Sequence, residues 1–104
     1  TDKTRHLMKF NHYTLGFLEK SQQIEVNLQG NAANVLLLDN KNYQQYKQGT
    51  RYIHIGGLVV KSPHRFVVPK SGQWHLVIDL GGYAGKVKSQ VVVHPLPQVH
   101  ENDR

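Results

Sequence analysis

Seven histidines stand in a chain of 104 residues that has no cysteine. Imidazole is therefore the one side chain abundant enough to build a metal centre or to move protons near neutrality. His54, His64 and His75 fall in three strand-like segments, and their convergence depends on how residues 64–68 pair with residues 73–80. If Pro69-Lys70-Ser71-Gly72 closes a four-residue hairpin with Val68 opposite Gln73, His64 lies on the side of His75 and diagonal to it. A slip of one places His64, Phe66 and Val68 beside Trp74, which packs better and parts the two imidazoles. The hydrophobic pattern favours the second register, and no close ligand spacing supports a metal site, so none is assigned. His12, at the start of the first strand, has no evident partner, and His6, His94 and His100 read as solvated.

Other chemistry fares no better. His75 and Asp79 share a strand face, but four residues of strand hold them about 13 Å apart, too far for a dyad. Without cysteine there is no thiol nucleophile, and Ser62, Ser71 and Ser89 sit in turns or a strand, none in a nucleophile elbow. Glu19, Glu25, Asp39 and Asp79 are the only acids of the central stretch, residues 10–93. The Gly81–Lys86 stretch fails as a phosphate cradle: three residues instead of four separate Gly81 from Gly85-Lys86, Val87 replaces the hydroxyl residue, and no helix follows. No catalytic residue and no cofactor is expected, and the chain does not read as an enzyme.

Binding is the remaining option. Thirteen Lys and Arg against seven Asp and Glu give a net charge of +6. The excess lies in residues 41–93, where Lys41, Lys47, Arg51, Lys61, Arg65, Lys70, Lys86 and Lys88 face Asp79 alone. Tyr52, His54, Lys61, Arg65, His75, Lys86 and Lys88 mix cations with flat rings on surface-capable positions, and the loop of Gly81, Gly82 and Tyr83 adds a flexible contact. That set suits a non-catalytic module recognising a protein or a small ligand. The alternative is a nucleic-acid-binding β domain, since single strands stack bases on rings and run their phosphates along cations; the second alternative is a His-based metal enzyme. The basic residues are scattered and form no dense run, which speaks against a dedicated nucleic-acid patch.

The elements that must position these residues repeat with period two. Ile24, Val26 and Leu28 alternate with polar neighbours; 33–39 is more fully apolar and central; Trp74, Leu76 and Ile78 mark a buried strand; Val87, Ser89, Val91 and Val93 face one way in the last. Asp39-Asn40 can cap a short helix over 41–47, with Gly49 as its left-handed stop and Tyr43 and Tyr46 on the side that packs on the sheet. Tyr52–Ile55 reads as a strand closed by Gly56-Gly57. About seven strands with a turn signal every 8–12 residues predict an all-β, antiparallel, jelly-roll-like sandwich over residues 8–94, with 1–7 as an N-terminal extension and 95–104 as a C-terminal tail. No apolar run approaches the ~20 residues of a membrane span. The composition suggests a cytoplasmic protein without a membrane, with an exposed edge strand available for pairing with a second copy.

The run Met8-Lys9-Phe10 with Tyr13 and Leu15-Gly16, then Gly30–Val35, Asn42-Tyr43 and Tyr46-Lys47, resembles a bacterial family known as domain of unknown function 1883. Gly56-Gly57, Lys61-Ser62-Pro63, Pro69–His75 and Ile78–Gly85 match it more specifically, and the likeness spans about residues 8–93. The resemblance implies an all-β sandwich, stand-alone or fused to Toll/interleukin-1-receptor-type domains, and through those fusions a sensing or interaction role. It supplies no catalytic residues. A looser likeness to jelly-roll modules with Pro-x-x-Gly-x-aromatic before a buried strand agrees on fold alone.

Overall fold

A computed structural model describes residues 10–81 and 85–97. Its elements run β1 (Phe10–Leu18), β2 (Gln23–Gly30), β3 (Ala33–Asp39), α1 (Asn40–Gln48), β4 (Ile55–Val59), β5 (His64–Val67), β6 (Gly72–Asp79) and β7 (Val87–His94). A four-stranded sheet ordered β1-β6-β3-β4 packs on a three-stranded sheet ordered β5-β2-β7, with every pairing antiparallel. The all-β sandwich expected from the alternation is the observed architecture.

The core between the sheets follows from that alternation. Ile24, Val26, Val35, Leu37, Trp74, Leu76 and Ile78 are buried in one cluster, and Leu28, Val87 and Val91 pack against its edge. Each fully buried side chain of this size contributes about 1.5–3 kcal/mol relative to exposure. A second, smaller cluster lies on the outer face of the four-stranded sheet, where Leu36, Leu38 and Val77 meet Tyr43 and Tyr46 of α1. The central strands β3 and β6 are thus covered on both faces, as their continuous apolar sequence demands.

Helix α1 begins and ends where its side chains dictate. The Asp39 carboxylate accepts the Asn42 backbone N–H at 2.9 Å, and Gly49 adopts φ 77° at the stop. The tyrosines three apart point down onto the sheet, as expected.

Two expectations need correction. Residues 64–68 and 73–80 do not form a hairpin in either register: β5 pairs with β2, β6 pairs with β1 and β3, and Pro69–Ser71 carries the chain from one sheet to the other. Phe66 and Val68 do bury beside Trp74, because facing is set by alternation even where pairing is not. The strand placed at Tyr52–Ile55 instead spans Ile55–Val59 and runs through both glycines. In β1 the register skips Leu15, a bulge between Thr14 and Gly16 that reverses the facing of the residues after it. Leu18 consequently turns inward while Phe17 is 61% exposed.

Candidate functional site

The sequence-derived candidates divide among four places. Arg65 and Lys88 lie on the outer face of the three-stranded sheet. There Glu25 accepts Arg65 Nη2 at 2.9 Å, His94 Nε2 at 3.1 Å and Asn27 Nδ2 at 3.1 Å, and Gln23 accepts Arg65 Nη1 at 2.9 Å. Arg65 is therefore engaged within the fold, and His94, expected to be solvated, is drawn into the same network. The Asn27 and His94 hydrogen bonds, with Arg65 beside them, hold the Glu25 carboxyl below its ordinary value. Gly81 and Lys86 sit at the far end of β6 and the approach to β7, where the Lys86 N–H donates to Asn31 Oδ1 at 2.8 Å. Gly82 and Tyr83 lie outside the described residues.

His75 is not on an exposed face; only 8% of it is accessible. Its partners, which sequence reasoning missed, are His12 of β1 and two residues of α1. His12 Nε2 lies 2.9 Å from His75 Nδ1, the Tyr43 hydroxyl lies 2.9 Å from His12 Nδ1, and His75 Nε2 lies 3.0 Å from Asn40 Oδ1. The Tyr43 ring stacks on both imidazoles, with centroids 4.1 and 4.4 Å away. The carbonyl of Asn40 only accepts, so His75 carries its proton on Nε2, receives one from His12 on Nδ1, and His12 in turn accepts from Tyr43. This chain is complete with both rings neutral. Burial first, then Lys47 near His12, and His12 and Lys47 near His75, push both imidazoles below their ordinary value; Asp39 opposes this weakly at His75. The rings fasten β1, β6 and α1 together. His54 and His64 are elsewhere, and no group of three His, Cys, Asp or Glu is placed to hold a metal among the described residues.

Asp79, which shares that sheet face, accepts from Tyr46 Oη at 2.7 Å, Asn34 Nδ2 at 3.0 Å and the Gly81 N–H at 2.8 Å. Burial, and then the bond to Asp79, push the Tyr46 phenol well above its ordinary value.

Tyr52 and His54, whose rings lie 5.7 Å apart, stand at the start of β4, and Lys61 lies beyond its other end, so the strand separates them. This strand pairs with β3 on one side, and among the described residues no strand pairs on the other. The four edge strands differ in how they are guarded. β1 carries a bulge, β5 has four residues and a paired Arg65, and β7 presents Lys88. β4 reads Ile-Gly-Gly-Leu-Val, with no charge, proline or bulge. Around it Ile53, Leu58 and Val60 are 76%, 68% and 70% exposed. Leu58 lies opposite Asn34 of β3, whose amide reaches Asp79, so it projects on the helix side of the sheet.

A concavity of about 230 Å³ adjoins the start of this edge, lined by Lys41, Asn42 and Gln45 of α1 and by Arg51, Tyr52 and Ile53. The Ile53 N–H donates to Asn42 Oδ1 at 2.8 Å, which ties the segment entering β4 to the helix. Tyr52 packs edge-on against Tyr46, with centroids 5.3 Å apart. Lys41 and Arg51 are exposed and make no ion pair among the described residues. No signal short of strand order could have singled out β4, because an unguarded edge is defined by what lies beside it. No described helix is long and apolar enough to cross a membrane.

No curated protein and no solved structure shows a significant match to the chain. A family profile matches residues 8–97, nearly the whole chain, and the protein accordingly belongs to the family described as domain of unknown function (DUF1883).

Proposed function

We propose that the protein is a non-catalytic recognition module, working in the bacterial cytoplasm, that takes an extended segment of a partner protein as an added strand on β4. The observation that carries this reading is the unguarded edge of Ile55–Val59 flanked by exposed Ile53, Leu58 and Val60. Strand addition draws affinity from main-chain hydrogen bonds and specificity from side chains on alternate positions. Gly56 and Gly57 keep the middle of the edge open to an approaching backbone, and Leu58 offers an apolar contact on the helix side. The cations that a nucleic-acid face would gather are instead divided between opposite parts of the molecule, and Arg65 is already held by Glu25 and Gln23.

The test uses a peptide of alternating threonine and valine, followed by backbone amide shifts of 55–59 in the full-length protein. It is expected to shift those amides, whereas the same peptide N-methylated at alternate residues does not. Leu58→Lys is expected to weaken binding without affecting folding. Equal binding of the methylated peptide, or exchange-protected outward amides on β4 in dilute free protein, would sink the reading.

A further inference from the structure

We infer that the segment received by β4 carries carboxylates at its C-terminal end, seated in the Lys41–Arg51 concavity. This deepens the reading above and rests on it. All pairings in the sheet are antiparallel, and an antiparallel guest places its C-terminal end beside the start of β4. The residues met there are Ile53, Tyr52 and Arg51, two to four positions before Ile55, with Lys41 across the concavity. A guest therefore needs about five residues against β4 and its anionic groups two to four residues beyond, ~7–13 Å further along.

Charge complementarity selects an acidic guest. Lys41 and Arg51 present cationic groups, the amides of Asn42 and Gln45 add polar lining, and no acid lines the concavity. Lys61, exposed just beyond the other end of β4, adds a cation there. A second copy of the chain is the poorer occupant. Antiparallel pairing of two β4 strands about Gly57 sets Lys61 of one copy opposite Ile53 of the other and hence diagonal to its Arg51, in a chain already carrying a charge of +6.

Three fluorescent octapeptides test this, each with Thr-Val repeated three times and ending in Glu-Glu, Gln-Gln or Lys-Lys, with binding read by polarisation on the full-length protein. The acidic peptide is expected to bind roughly tenfold tighter than the basic one, as two exposed ion pairs supply, and its advantage to shrink with added salt. The Lys41→Glu, Arg51→Glu double variant is expected to reverse the order. An amidated and a free C-terminus compared on each peptide separate a terminal carboxylate from acidic side chains as the source. If the three peptides bind alike, or the double variant changes nothing while Leu58→Lys still weakens all three, the carboxylate inference is wrong and strand addition stands. If none binds, or sedimentation shows a dimer that Leu58→Lys dissociates, strand addition by a partner falls as well.

Discussion

His12 Nε2 and His75 Nδ1 face each other at 2.9 Å, and a single proton serves both nitrogens. The pair can take up one further proton if the Tyr43 hydroxyl turns to accept from His12 Nδ1. A second proton would set N–H against N–H across the contact. The two rings therefore titrate as a unit, and the fold prefers them neutral.

Stability should accordingly depend on pH in a definite direction. Both imidazoles lie below their ordinary value of 6.5 in the folded state, so the unfolded chain binds more protons as the pH drops. The contribution is whole above that ordinary value and is lost as the pH falls from there toward the lowered folded values. Urea unfolding at pH 7.5 and at pH 5 should show the acid sample less stable, and a His12→Gln, His75→Gln variant should show a smaller difference. An unchanged pH profile in that variant would place the effect elsewhere.

Asp79 is buried and takes three hydrogen bonds, one of them from Tyr46. Tyr46→Phe removes that donor while keeping the ring against Phe10 and Tyr52. A loss of about 1–3 kcal/mol is expected by chemical denaturation, the cost of a buried acceptor deprived of a partner. A loss under 0.5 kcal/mol would mean that water replaces the phenol.

The helix rests on its two ends. Asp39→Ala should cost about 1 kcal/mol by removing the cap on the Asn42 N–H, and Gly49→Ala about 1–2 kcal/mol because φ 77° strains any side chain. Circular dichroism melts of the two variants check both values.

The adjacent glycines of β4 should respond in opposite ways. A β-carbon on Gly56, at φ 104°, would run into the Val35 carbonyl and the Phe66 ring, while one on Gly57 meets nothing within 4 Å. Gly56→Ala is expected to destabilise by about 1–3 kcal/mol or more, and Gly57→Ala to stay within about 0.5 kcal/mol of the parent. Equal effects in denaturant titrations would contradict this packing.

What could be read from the residues was whatever is local. Asp39 and Gly49 announce the helix within one turn of its ends, and Ile24, Val26, Trp74, Leu76 and Ile78 announce their facing because the strand period is two. Pairing is not local. Pro69–Gly72 looks like a hairpin turn, yet a turn-rich segment serves equally well to cross between layers, and only the competition for β2 decides that β5 goes there. Phe17 illustrates a second limit: the alternation places it with Tyr13, and the bulge at Leu15 reverses it. His12 failed for the same reason as the hairpin, since its partner lies 63 positions away on a strand that no short-range pattern links to β1. The β4 edge, with Tyr52 and His54 at its start and Lys61 beyond its end, emerges only from strand order.

The backbone crosses repeatedly between the two layers. It passes from one layer to the other at every connection except that through α1, and β1 meets β6 with Phe10 beside Asp79. Neither layer can assemble from a contiguous stretch of chain, so half-built forms have little to hold them. Folding should be slow and all-or-none, and a break in any one crossing would loosen both layers together.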